Sequence, residues 1–171
     1  MKLAFKMTSA QPDPHINPFA TDKDRHAIWE MLVPRDIDAF IGQDWPAVDG
    51  DFDHAAFLGI DARRSADPDD WKLAFPTVAV YRDAWLRQAS EMAAQAFAED
   101  PRTAIFRATR LTEIEIIGDR ALAHKKFDGA IQRADGSSDT LNWQTVYYCR
   151  RQGDRWLITG FTGYLPYTAE R

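Results

Sequence analysis

Cysteine is nearly absent from this 171-residue chain: Cys149 stands alone. No intramolecular disulfide can form, and its place inside the aromatic, strand-like run YYCRR suits a small core residue, with a reactive thiol as the alternative. Basic clusters are absent too. No run of Lys or Arg exceeds a pair, and the formal net charge is −5. The chain therefore has no phosphate-binding footprint, which argues against nucleic acid as a partner. No stretch approaches the roughly 20 apolar residues of a membrane span. The opening MKLAFKMTSA places only Leu3, Ala4 and Phe5 between two lysines, short of a secretory apolar segment, so a cytoplasmic location is the expectation. The four histidines, His15, His26, His54 and His124, include no HExxH and no close pair, so no metal site is expected. Asp49, Asp51 and Asp53 have the spacing that opens a calcium loop. His54 and Ile60, however, stand where that loop needs a glycine and a bidentate glutamate, so the segment reads as a solvated acidic turn.

What the chain does contain is apolar and aromatic mass, 45% hydrophobic and 12% aromatic, enough for one substantial core and one domain. Residues 11 to 20, QPDPHINPFA, hold three prolines and no periodicity, so residues 1–20 are expected to form an extended arm before a single domain at 21–171. Thr21 and Asp24 suggest a capped helix start, after which Ile28, Met31 and Leu32 recur at helical spacing until Pro34 stops the pattern. Pro34 suits the first position of a second helix, in which Ile37, Phe40 and Ile41 share a face. Ala55 to Ile60 suits a short strand, and Asp67 to Asp70 a turn. Val78, Tyr81, Trp85, Ala89, Met92 and Ala96 then give the longest helical pattern, which Asp100-Pro101 ends.

After Arg102 the period becomes two. Four runs, near Ala104 to Ile117, Arg120 to Arg133, Thr140 to Arg151 and Arg155 to Leu165, are parted by hairpin residues, and together they predict an antiparallel meander. Strands this long, about 40 Å at roughly 3.3 Å per residue, must twist and bend. Two-residue loops at Gly118-Asp119 and Gly153-Asp154 would set Glu113 against His124, Leu111 against Lys126, Thr109 against Asp128, Cys149 against Ile158 and Tyr147 against Gly160. One face of the first hairpin is then charged, and the other, with Ile114, Ile116, Ala121, Ala123 and Phe127, is a core face. A slip of one residue in the middle hairpin flips every side chain. Trp143, Tyr147 and Trp156 therefore lie either with His124 or opposite it.

Helices with a short strand, a long helix and then four long strands is the element order of the nuclear transport factor 2-like superfamily, also called SnoaL-like or cystatin-like. Arg35-Asp36-Ile37-Asp38-Ala39-Phe40 resembles its first helix-turn motif, and GDRWLI at Gly153 to Ile158 resembles its closing hairpin. The resemblance spans about Thr21 to Tyr167. It implies an α+β cone in which N-terminal helices and one long helix pack in the concave side of a strongly bent antiparallel sheet around a deep apolar pocket, with dimerisation through the outer sheet face. Members include isomerase-, dehydratase- and cyclase-like enzymes as well as proteins without catalysis, so the fold alone does not decide. Isomerase-like members carry a carboxylate after the first strand, nearest here to Asp61 in FLGIDA. Where they use a tyrosine on the first helix, this chain has Ile28 and Trp29, which argues against a ketosteroid-isomerase mechanism.

Two residues are thus candidates for a catalytic base. Asp61 either projects into the cone, where desolvation would make it a usable base, or caps the next turn with Arg63 or Arg64. His124 is either oriented by Glu113 as a general acid–base or sits in a cross-strand ion pair on the outer face. Trp29, Trp45, Tyr81 and Trp85 are the candidates for lining the pocket, as apolar walls with a few polar tips. The functional expectation is a small apolar or aromatic ligand and cofactor-free proton transfer of isomerase, cyclase or dehydratase type, in a homodimer. The alternative is a binding or dimeric assembly domain without catalysis, including the accessory subunit of a larger enzyme.

Overall fold

The computed structural model describes residues 13–168, so the first twelve residues of the expected arm lie outside the described residues. Residues 13–20 form turns on the surface, where His15 stacks on Phe106 at 4.5 Å. Asp22, rather than Thr21, caps helix α1 (Lys23–Glu30), its Oδ1 accepting from the Arg25 backbone N at 3.0 Å. Pro34 does not end the helical path as its chemistry suggests. A π-helical turn, Met31–Arg35, carries the chain straight into α2 (Asp36–Ile41). Proline has no N–H to give and clashes with the carbonyl one turn back. The wider π turn accommodates one extra residue at that point and rotates the helix beyond it. Met31, Leu32, Val33 and Ile37 are all buried as a result.

A short helix α3 (Pro46–Asp49) leads to strand β1 (Leu58–Asp61), which begins later than expected. A 3₁₀ turn at Pro68–Asp70 falls on the expected acidic turn and is followed by β2 (Lys72–Phe75), a strand the sequence pattern does not announce. Helix α4 (Val78–Ala93) starts behind Thr77, whose side chain accepts from Val80 N. The next segment departs from expectation: Ala104 to Ala108 belong to helix α5 (Pro101–Ala108), not to a strand. Asp100-Pro101 does not end α4, which already stops at Ala93; it begins the next helix. Asp100 Oδ2 caps Thr103 N at 2.9 Å, and the proline at the first position costs no hydrogen bond.

The strands β3 (Thr109–Arg110), β4 (Ile114–Ile117), β5 (Arg120–Gln132), β6 (Ser138–Gln152) and β7 (Arg155–Leu165) complete a seven-stranded sheet of order β2-β1-β7-β6-β5-β3, with β4 also on β5. The sheet is mixed rather than wholly antiparallel, because β1 runs parallel to β7. That pairing requires glycine at 160, where a Cβ would come within 2.2 Å of the Leu58 carbonyl oxygen. Gly129 plays a similar part on β5, letting α5 approach until Ala108 would lie 2.8 Å from an added Cβ.

Near each Gly-Asp turn the register is the expected one: Glu113 O accepts from His124 N at 3.0 Å, and Cys149 faces Ile158. Farther out it slips by one. Arg110, not Leu111, faces Lys126; Thr109 faces Phe127, not Asp128; and Tyr147 faces Phe161, not Gly160. Such slips mark bulges, which bend a strand and increase its twist. The middle hairpin pairs Phe127 with Trp143 and Ala123 with Tyr147. Trp143 and Tyr147 therefore share the inner, helix-covered face with Ala123, Lys125 and Phe127, while His124 points outward. Trp156 is also on the helix side, its Nε1 donating to Asp24 Oδ1 of α1 at 3.0 Å.

Candidate functional site

Lys125 stands between Ala123 and Phe127 on the inner face of β5, so strand alternation carries its ammonium under the helices. Only 1% of the side chain is exposed. Its Nζ lies 2.7 Å from Asp36 Oδ2 and 5.2 Å from the centroid of the Phe127 ring. Asp36 occupies the first position after the π turn, at the start of α2. A charge this deep persists only when paired, since removing one partner of a buried pair costs about 3–5 kcal/mol.

Around this pair stands an aromatic wall. Tyr81 of α4 is its hub, with ring centroids of Phe161 at 4.9 Å, Phe75 at 5.3 Å, and Phe52 and Phe57 at 5.8 Å. Tyr147 joins through Phe161 at 5.8 Å. Neither the Tyr81 nor the Tyr147 hydroxyl has a hydrogen-bond partner among the described residues. Burial pushes both phenols well above their ordinary range, and the Asp36 charge acts in the same direction. Both stay protonated as O–H donors at any ordinary pH.

These groups border a cavity of about 410 Å³ between α2, α4 and the sheet. The volume is within the usual size of small-molecule sites, roughly 300–1,000 Å³, and the walls are mostly apolar with a few convergent polar groups. Its charged lining consists of Asp36, Lys125 and Arg64. Arg64, an exposed residue of the lining, lies 5.4 Å over the Trp143 ring and donates from Nη1 to Asn142 O at 2.7 Å. Trp143 in turn lies against Phe127 at 4.5 Å and Tyr164 at 5.8 Å. Three non-glycine residues here have left-handed backbones, Arg63 at φ 54°, Arg64 at φ 61° and Tyr164 at φ 53°. Such conformations cost about 1–3 kcal/mol each and persist where surrounding bonds hold them. Arg64 N donating to Tyr164 O at 2.9 Å is one of those bonds.

Of the residues singled out from sequence, the structure brings Tyr81 and Trp85 to the cavity wall. Trp29 and Trp45 are core residues behind it. Trp45 stacks on Phe52 at 5.2 Å, meets Trp85 edge-on at 5.3 Å and donates to Asp49 Oδ1 at 2.8 Å. Asp61 does not border the cavity: its Oδ1 accepts from Arg63 N at 2.7 Å and closes the turn after β1. His124 lies on the opposite side of the sheet, its Nε2 3.6 Å from Glu115 Oε1. Glu113, the neighbour expected for it, is held by Lys126, which keeps that carboxyl below its usual range. The acidic turn is not solvated throughout as expected: Asp51 and Asp53 are buried, Asp51 taking both arms of Arg35 at 2.7 and 2.8 Å, and Asp53 taking Arg150 at 2.6 Å and Gln152 at 2.9 Å. Asp36, Lys125, Arg64, Trp143, Tyr147 and Tyr164 complete the site without having been singled out. The signal for one of them was present: a lysine at the parity of Ala121, Ala123 and Phe127 is a charge on a core face.

No protein-family model matches the chain, and no curated protein matches it. Solved structures do. A nuclear transport factor 2-like protein of unknown function from Pseudomonas putida KT2440 superposes with a TM-score of 0.53 at 18% identity, over 84% of this chain and 87% of that one. A nuclear transport factor 2-like superfamily protein from Salmonella enterica serovar Typhimurium LT2 gives 0.54 at 14% identity, over 86% and 93%. A conserved protein from Planctomyces limnophilus DSM 3776 gives 0.55 at 14% identity, over 83% and 94%. An α+β domain with helices laid into a curled sheet is the class these likenesses define. The chain has the nuclear transport factor 2-like fold, and at such identities its chemistry is to be read from its own cavity.

Proposed function

We propose that the protein binds a small, largely apolar or aromatic molecule in the cavity and catalyses a cofactor-free proton transfer on it, of the isomerase, cyclase or dehydratase type. The observation that carries this reading is the Asp36–Lys125 pair, set in a mostly apolar cavity wall that also carries two phenol hydroxyls without partners. The Asp36 carboxylate takes a proton from a carbon next to a carbonyl. The electron pair of that C–H bond becomes a carbon–carbon π bond while the carbonyl π pair moves onto oxygen, where the Tyr81 and Tyr147 O–H groups donate to the developing oxyanion. The protonated Asp36 then returns its proton to another carbon or to a departing hydroxyl, restoring the carboxylate. Lys125 positions Asp36 and balances its charge. Asp36 replaces Asp61 and His124 as the base in this proposal because it borders the cavity and they do not. Two copies would associate through the outer sheet face, where Leu122 is exposed and His124 Nε2 has no hydrogen-bond partner among the described residues.

A second reading, binding without turnover, is favoured by the closed 2.7 Å contact between Asp36 and Lys125, which leaves each partner satisfied. The test is incubation with pooled small carbonyl compounds in D₂O, read by mass spectrometry. Deuterium entering a bound compound with the native protein, and no longer with Asp36→Asn, supports proton transfer. Retention of a compound without exchange supports the second reading. Exchange that persists in Asp36→Asn overturns the assignment of the base.

A further inference from the structure

We infer that the ligand is an aromatic monoanion, its carboxylate held by the exposed Arg64 and its ring laid inward against Trp143 and Phe127. This inference rests on the proposed use of the cavity as a small-molecule site and names the class of molecule it takes. Three observations converge on it. The first is charge. Among the charged groups lining the cavity, Asp36 and Lys125 neutralise each other at 2.7 Å, which leaves Arg64 as one uncompensated cation. Arg64 makes no ion pair among the described residues; its Nη1 goes to the Asn142 carbonyl, and the Asp61 carboxylate is turned to the Arg63 backbone N. Its remaining guanidinium N–H groups are free to grip a carboxylate in the two-pronged manner that arginine favours.

The second is the path between the cations. Arg64 lies over Trp143 at 5.4 Å, Trp143 against Phe127 at 4.5 Å, and Phe127 under Lys125 Nζ at 5.2 Å. A flat ring can lie along this indole and phenyl surface with its acid group outward. The third is the backbone. Arg63, Arg64 and Tyr164 all have positive φ, and the Arg64 N to Tyr164 O bond holds the strained loop against the end of β7. Strain of this kind gathers at ligand clamps because it fixes a side chain before the ligand arrives. A guanidinium already stacked on an indole loses little freedom when it takes up an anion.

The experiment compares benzoate, phenylacetate, cinnamate and 4-phenylbutyrate with their primary amides on the full chain, by quenching of the cavity tryptophan fluorescence and by isothermal titration. At least one acid is expected to bind tenfold or more tightly than its amide, with affinity falling as salt is raised. Arg64→Gln is expected to bring that acid to the affinity of its amide while leaving the amide's own affinity within about twofold, a control that the variant still folds around the cavity. Amides binding as tightly as acids would overturn the anion preference and leave the small-molecule site standing. No binding by any of the eight compounds overturns both. A preference that survives Arg64→Gln overturns the role of Arg64.

Discussion

Asp36 Oδ2 and Lys125 Nζ meet at 2.7 Å although 89 residues separate them in sequence, and the two side chains are unequally buried, 31% exposed for Asp36 and 1% for Lys125. The inequality sets the outcome of breaking the pair from either side. Asp36→Asn strands an ammonium that has no access to water, and should cost about 3 kcal/mol, a fall in Tm on the order of 10 °C. Lys125→Met keeps the volume of the stem and strands a carboxylate that retains solvent contact, so about 1 kcal/mol is expected. The double variant Asp36→Leu with Lys125→Met should return to within about 1 kcal/mol of the native chain. Urea denaturation of the four proteins checks the order, and an Asp36→Asn protein as stable as Lys125→Met would show that the ammonium is not stranded.

The phenols make the opposite prediction. Deleting a hydroxyl that has no partner removes no bond, so Tyr147→Phe should leave stability within about 0.5 kcal/mol of native. If the hydroxyl serves the oxyanion, the same variant should slow deuterium exchange by on the order of 10²-fold. Thermal denaturation and the exchange assay together separate packing from chemistry, and a large loss of stability would mean that the hydroxyl is bonded after all.

The parts of the fold that were legible were those set by local rules. The Gly-Asp turns, the alternating runs behind them and the α4 stripe from Val78 to Met92 all lie where period and turn chemistry put them. Illegible were the places where tertiary contacts override a local signal. Pro34 should break a helix, yet the π turn absorbs it because Met31, Leu32 and Val33 are all buried in the core. Ala104 to Ala108 alternate well enough for a strand, yet the Asp100 cap makes them helical. The site suffered most from register, since the bulges on β7 and the slip between β3 and β5 are invisible in sequence and decide which side chains share a face. Tyr81 and Trp85 were readable from helical spacing. Lys125 was readable too, as a charge at the core parity of Ala121, Ala123 and Phe127; Trp143 and Tyr147 needed the parity of the middle hairpin, and Arg64 the geometry of a loop.

Gly160 offers a test of the parallel β1–β7 junction, the one part of the sheet with no hairpin to enforce it. Gly160→Ala would drive a Cβ to 2.2 Å from the Leu58 carbonyl oxygen, a backbone atom with little room to retreat. About 2–4 kcal/mol of destabilisation is expected, with the loss concentrated in β1 and β2. Native-state hydrogen exchange resolves this: the amides of β1 should lose protection while those of β5 keep theirs. Equal loss across the sheet would show that the junction is not a separable weak point.

Four protons are held in the interior to unusually high pH. Burial pushes the Cys149 thiol from 9.0 up to about 12, and it pushes the Tyr81, Tyr147 and Tyr164 phenols above their ordinary value of 10.0. Each group keeps its proton longer in the folded protein than in the unfolded chain. Above about pH 9 the unfolded state therefore binds fewer protons than the folded one, and stability declines as pH rises toward 12. The contribution is fully present below pH 9 and is lost between there and about 12. Cys149 alone accounts for a decline on the order of 3–4 kcal/mol across that window. Urea midpoints at pH 8, 9.5 and 11 should fall in step, and Cys149→Ala should fall less steeply from a lower start. In the folded state at pH 8 the thiol should resist a colorimetric disulfide reagent and react fully only in denaturant. A native chain that reacts within minutes would show that the inner face of β6 opens far more readily than its burial implies.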